Sequence, residues 1–271
     1  MKLPVALQLY SVREHMEADF LGTLARVKDM GYDGVEFAGL FDRDASEVKN
    51  ALDKLGLTAV SAHVPYYDML EDPDSCMSTY ALIGCRYIAV PYLTPECRPG
   101  TDGFGATIEG IRKIGEAAKK HGMLLLYHNH DFEFIKLGGK YALEVLYDTV
   151  PADILATELD TCWVNVGGEE PAAYVEKFSG RAPVVHLKDF VSEGKGGKLY
   201  DLIGIDDDSQ EESGTFEFRP VGYGCQDFAA IVAASEKAGA EWVVVEQDKP
   251  SMGKDELECA DMSIRWLREN L

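Results

Sequence analysis

The strongest constraint in this sequence is an eightfold alternation of short apolar runs with longer helical stretches. Strand-like runs fall at 5–10 (VALQLY), 33–38 (DGVEFA), 57–63 (LTAVSAH), 86–92 (RYIAVPY), 123–130 (MLLLYHNH), 154–160 (ILATELD), 183–189 (PVVHLKD) and 242–248 (WVVVEQD). Several are almost continuously apolar, as parallel strands covered by helices must be. Between them lie helical patterns at 18–30, 44–55, 72–84, 105–121, 169–178, 226–238 and 255–269. Pro73 suits a first helical position. Gly31, Gly56, Gly84, Gly122 and Gly239 stand just past helical patterns, where left-handed stops are common.

Eight strands alternating with helices predict an α/β fold, a single closed (β/α)8 TIM barrel. The length of 271 residues suits one such domain, since these barrels run to about 250 residues. No composition break marks a linker, so the domain is expected to span 1–271. An open doubly wound sheet is the other arrangement, but the first strand lacks a G-x-G-x-x-G loop and no P-loop occurs. Residues 191–225 interrupt the rhythm with GKGGK, DDDSQEES and GTFEFRPVGYG. In a barrel they form a long loop leaving strand seven on the active-site side.

Charge narrows the function. Against 26 Lys and Arg stand 47 Asp and Glu, a net charge of -21. That excess excludes a nucleic-acid binder, which needs a basic footprint, and disfavours an anionic membrane surface. No apolar run reaches the roughly 18 residues of a membrane span, and no cleavable signal pattern opens the chain. The six cysteines form no Cys-x-x-Cys pair and read as reduced thiols. A cytoplasmic protein with a small-molecule substrate is the expectation, with homo-oligomerisation open.

Polar residues gather at the C-terminal ends of the expected strands: His63; His128 and His130, followed by Glu133; Glu158 and Asp160; His186, Lys188 and Asp189; and Glu246 and Asp248. A carboxylate at a barrel mouth requires a hydrogen-bond, cationic or metal partner. Glu133, Asp160, His186 and Glu246 offer three carboxylates and one imidazole, a set suited to Mn²⁺, Co²⁺, Mg²⁺, Fe²⁺ or Zn²⁺. The competing reading is a buried salt-bridge network with Lys188 and Arg219.

The segments YHNHDFEF (127–134), ELDTCW (158–163), VVHLKD (184–189), PVGYG (220–224) and VVVEQD (243–248), with QLYSVR (8–13) and VEFAG (35–39), resemble the sugar isomerase/epimerase superfamily with a xylose-isomerase-like barrel. Inosose dehydratases, hydroxypyruvate isomerases, ketose 3-epimerases and relatives of apurinic endonucleases belong to it. The resemblance covers nearly the whole chain. It implies one divalent metal, Mn²⁺ or Co²⁺ before Mg²⁺ or Zn²⁺, on Asp160, His186 and Glu246. The fourth ligand would be Glu133, because strand five carries Tyr127 and His128 where ketose epimerases carry a glutamate. The endonuclease branch has a three-metal site richer in histidine, which six histidines and the acidic charge do not match.

The expected activity is isomerisation or epimerisation of a small sugar or keto-sugar through an enediolate. Glu246 with Glu133 or His130 would move the proton, and His63 is a further acid/base candidate. His128, Lys188, Arg219 and Glu36 are the candidates for substrate binding. For Lys188 a salt bridge to Glu158 or Asp189 is the structural alternative, and for Arg219 a pairing with the acidic run. The alternative activities are a 3-oxo-glycoside lyase or inosose-type dehydratase, and a non-catalytic sugar-binding subunit.

Overall fold

The computed structural model describes residues 1–194 and 214–271. Eight parallel strands close into a barrel: β1 (Val5–Gln8), β2 (Gly34–Ala38), β3 (Thr58–His63), β4 (Tyr87–Val90), β5 (Leu124–His128), β6 (Leu155–Asp160), β7 (Val184–Leu187) and β8 (Trp242–Val245). They pair in sequence order, and β8 closes onto β1 in the register Val5↔Val243. Each strand matches an expected run, shortened where polar residues leave the ladder at the mouth.

The helices Phe20–Met30, Ala45–Leu55, Pro73–Ile83, Phe104–Lys120, Pro171–Lys177, Phe228–Ala238 and Glu256–Asn270 occupy the expected intervals. Asp72 caps the helix opened by Pro73, and Gly84 ends it with φ 105°. Ala142–Thr149 and Thr161–Val166 are helices that the pattern did not announce. The second is one and a half turns long, too short for an apolar stripe to register.

The barrel interior is layered by the period of two along each strand. Ala6, Val60, Tyr87, Ala89, Leu126, Ala156, Val184 and Val244 form a buried apolar floor. Two residues further along their strands come Gln8, His128, Glu158, His186 and Glu246, all buried. Two more steps on β6, β7 and β8 reach Asp160, Lys188 and Asp248. The same alternation that builds the floor therefore stacks the polar groups above it. Gly34 is required below: a Cβ there would lie 2.8 Å from the Thr58 carbonyl oxygen.

The long segment after β7 begins and ends as an antiparallel ribbon, Asp189–Gly194 against Gly214–Arg219. Residues 195–213, with most of GKGGK and all of DDDSQEES, lie outside the described residues. Asp189 anchors the ribbon: its carboxylate accepts from the backbone N–H groups of Phe190, Gly222, Gly224 and Gln226 at 2.8–3.2 Å. A side chain at 224 would strike that carboxylate, placing a Cβ 2.3 Å from Asp189 Oδ1.

Candidate active site

The strand ends meet in a cavity of about 410 Å³, lined among others by Tyr10, His63, Tyr92, His128, His130, Lys188, Glu246 and Asp248. Four potential ligand atoms of His128, Asp160, His186 and Glu246 converge within 4.8 Å of one another. His128 Nε2 lies 3.3 Å from Asp160 Oδ2 and 3.4 Å from Glu246 Oε2, and His186 Nδ1 lies 2.8 Å from Glu246 Oε2. The strand register accounts for this, because Asp160 pairs with His186 and His186 with Val244, two residues before Glu246.

Asp160 divides its oxygens between two tasks. Oδ1 caps the helix Thr161–Val166 by accepting from the N–H groups of Cys162 and Trp163, at 2.8 and 3.1 Å. Oδ2 turns to His128 and Lys188. The backbone beneath is tied down by Asn129, whose Oδ1 accepts from the Asp160 N–H at 2.9 Å.

Glu133 departs from expectation. It belongs to neither convergent group of possible ligands. Its Oε1 accepts from the Tyr127 hydroxyl and its Oε2 from the His130 backbone N–H at 2.8 Å. The physical cause is the short 3₁₀ turn Phe132–Phe134, which folds the carboxylate back against β5. Burial raises its pKa to about 7. His128, expected to bind substrate, stands in the convergent group instead.

Lys188 is buried with Nζ 3.4 Å from Asp160 Oδ2, 3.1 Å from Glu246 Oε2 and 3.0 Å from Asp248 Oδ2. Lys188, a candidate for substrate binding, thus pairs with Asp160, Glu246 and Asp248, and not with Glu158 or Asp189, the partners of the structural alternative. The ring faces of Trp163 and Phe218 cover the ammonium at 5.6 and 5.5 Å. Burial opposes its charge, but the three carboxylates outweigh it and raise its pKa well above the usual range. Burial likewise opposes ionisation of Glu246, and Lys188 with the histidines overcomes it. Asp248 differs: burial prevails over Lys188 and its pKa rises to about 6.

Beneath this group lies a second one. Glu36, expected at the substrate, is fully buried and does not line the cavity. The reason is its register opposite Gln8, a layer below the mouth. Its Oε1 accepts from Gln8 Nε2 at 2.6 Å and lies 2.9 Å from His186 Nε2 and 3.1 Å from His63 Nε2. Glu158 Oε2 lies 2.5 Å from His63 Nε2. Burial disfavours a charged His63, yet Glu36 and Glu158 raise its pKa to about 10. His130 lines the cavity, stacked on Phe132 at 5.4 Å, and burial lowers its pKa well below normal. Arg219 also departs from expectation. It pairs with Glu217, which shares its face two residues back on the ribbon, and does not line the cavity.

Sequence reasoning left Gln8 and Asp248 without roles and gave Glu158 only as an alternative partner of Lys188. The usable signal was the period of two, which carries Ala156 to Glu158 and Glu246 to Asp248.

The chain matches the family described as xylose isomerase-like TIM barrel over residues 24–270. It belongs to that family. It is 23% identical over 264 residues to an inosose dehydratase of Clostridium beijerinckii, covering 88% of this chain and 85% of the relative. A sugar phosphate isomerase/epimerase from Parabacteroides distasonis superposes with a TM-score of 0.78 at 22% identity, covering 100% and 95% of the two chains. An L-ribulose 3-epimerase superposes with a TM-score of 0.71 at 16% identity, covering 98% and 94%. These structural likenesses establish the shared barrel. Within the xylose isomerase-like family the buried His/Asp/His/Glu group stands as a site that could hold a metal ion. Among the described residues no helix is long and apolar enough to cross a membrane.

Proposed function

We propose that this protein is a lyase of the dehydratase type, which eliminates an oxygen substituent β to the carbonyl of a small keto-sugar or keto-polyol. One divalent cation, Mn²⁺ or Co²⁺ in preference to Mg²⁺ or Zn²⁺, would be held by His128, Asp160, His186 and Glu246. Two imidazoles and two carboxylates, buried and converging, fit such an ion. When bound, it supplies Lewis acidity that polarises the carbonyl and acidifies the adjacent C–H.

The protein groups perform the proton transfers. Glu246 lines the cavity and keeps Oε1 outside every hydrogen bond among the described residues, so this oxygen can take the C–H proton. Lys188, on the same edge, can donate a proton to the departing oxygen and recover one from Glu246, 3.1 Å away. Asp248 keeps the ammonium in place. Tyr10 and Tyr92 offer rings to the C–H faces of a polyol.

The observation that carries this reading is the contrast between Lys188 and Glu133. A cationic acid adjoins Glu246, whereas the second carboxylate that an epimerase pair would use is turned onto Tyr127 and His130. The inosose dehydratase relative points the same way. Isomerisation or epimerisation is the second reading, favoured by His63 and His130 lining the same cavity as possible second proton carriers.

The test is incubation of cation-loaded protein with inososes, ketoses and 3-oxo-glycosides in deuterated water, followed by mass spectrometry and NMR. Loss of water or of an aglycone is expected. An epimer or isomer carrying one exchanged C–H would replace this reading with the second. Tight sugar binding with neither product nor exchange would favour a binding subunit and overturn both.

A further inference from the structure

We propose that the ends of β1–β4 form an apolar subsite for an alkyl or aryl aglycone, so that the substrate is a keto-glycoside and not a free keto-polyol. This rests on the lyase reading above and names the group that its substrate loses.

The cavity wall is divided by strand. Past β5, β7 and β8 it presents His130, Lys188 and Asp248. On the other side it presents Ala38 at the end of β2, Pro65 past β3 and Pro91 past β4. Tyr10 past β1 and Tyr92 past β4 bound this arc. His63 lies on it too, but its Nε2 meets Glu158 at 2.5 Å and Glu36 at 3.1 Å. The side chains of Ala38, Pro65 and Pro91 carry no polar atom, and a proline has no N–H. A hydroxyl pressed against them loses its water without gaining a partner. An alkyl or aryl group there gains in proportion to the apolar area it buries. The cavity volume of about 410 Å³ falls within the range of about 300–1,000 Å³ that suits ligands larger than a bare sugar.

Both bounding rings are backed by an arginine. The Arg13 guanidinium lies 4.2 Å from the Tyr10 ring centroid, and its Nη1 donates to the carbonyl oxygens of Tyr10 and Asp248 at 2.8 Å. Arg98 lies 5.1 Å from the Tyr92 centroid and 4.5 Å from that of Phe132. Rings fixed in this way lose little freedom when a ligand settles on them. Lys188 Nζ lies 3.0 Å from Asp248, which follows β8, the strand paired with β1. The proposed acid thus stands towards the β1 edge of the arc. In the elimination the C–H proton passes to Glu246, and its electron pair forms the C=C bond conjugated to the carbonyl. The C–O bond breaks with its pair on oxygen, which takes the proton of Lys188 and leaves as the aglycone alcohol.

The experiment gives Mn²⁺-loaded protein methyl 3-oxo-glucoside, benzyl 3-oxo-glucoside and an inosose, and measures kcat/KM for elimination. Methanol and benzyl alcohol leave with similar ease, so the benzyl/methyl ratio reports the subsite. In wild type that ratio is expected to be about 10 or more. In Ala38→Leu, which fills the arc, it should fall towards one. A ratio of one or less in wild type, or faster loss of water from the inosose than of benzyl alcohol, would overturn the inference and leave the lyase reading standing. Calorimetry with the unoxidised methyl and benzyl glucosides, which cannot eliminate, separates the two claims. If no substrate eliminates, tighter binding of the benzyl glucoside would keep the subsite and overturn the lyase reading. Equal binding, or none, would then overturn both.

Discussion

Lys188 Nζ stands 3.1 Å from Glu246 Oε2, inside the ring of side chains proposed to hold a cation. A buried ammonium at that point neutralises part of the charge of Asp160, Glu246 and Asp248. The site therefore has a charge-balancing partner before any metal arrives.

Replacing Lys188 by Met should leave those three carboxylates without their cation. Breaking a buried charge network in this way costs about 3–5 kcal/mol. Urea denaturation should show that loss, and saturating Mn²⁺ should restore part of it. In the elimination assay the variant should exchange the substrate C–H with deuterium yet release little product. Unaltered stability together with unaltered product release would refute both roles of Lys188.

Substituting His186 by Ala removes one of the four proposed ligands and the link to Glu36. Metal analysis after dialysis should find wild type with about one Mn²⁺ per chain and the variant largely empty, an affinity loss of at least about 100-fold. Equal occupancy in the two proteins would remove His186 from the ligand set.

Asp160→Asn separates the two tasks of that side chain. Asn caps a helix about as well as Asp, so the bonds to Cys162 and Trp163 should survive, and any stability loss should come from the charge removed beside Lys188 and His128. Ion affinity should fall at least about 10-fold, because the amide supplies no anionic oxygen. A large stability loss with full ion affinity would invert the assignment of the two oxygens.

Glu133 gives a pH dependence. Its carboxyl has an ordinary pKa of 4.5 and is raised to about 7 by burial in the fold. Between those values the native state holds a proton that the unfolded state has lost, so stability falls as pH rises. The shift corresponds to about 3 kcal/mol, present below pH 4.5 and gone above about pH 7. Subtracting the urea stability of Glu133→Gln from that of wild type at pH 5, 6 and 7 should reveal this slope. A flat difference would mean that Glu133 is ionised in the native state throughout.

What the sequence by itself determined is the repetitive part of the molecule. Alternation of apolar runs with amphipathic helices is local, and it was enough to imply eight parallel strands and a closed barrel. The period of two within each strand also put His63, His128, Asp160, His186 and Glu246 at one mouth, since every parallel strand ends on the same side. Tertiary structure alone decided which of these groups meet. Glu133 offered the expected fourth carboxylate, but the turn after β5 folds it onto Tyr127 and His130 and leaves His128 at the centre. Glu36 was expected at the substrate, yet the stagger of β2 against β1 sets it opposite Gln8, below His186. Lys188 found Asp248, Glu246 and Asp160 because β7 pairs with β6 on one side and β8 on the other, in a register that brings their ends together. Charge and periodicity are written residue by residue, whereas the distance between side chains on different strands depends on closure, register and turn geometry together.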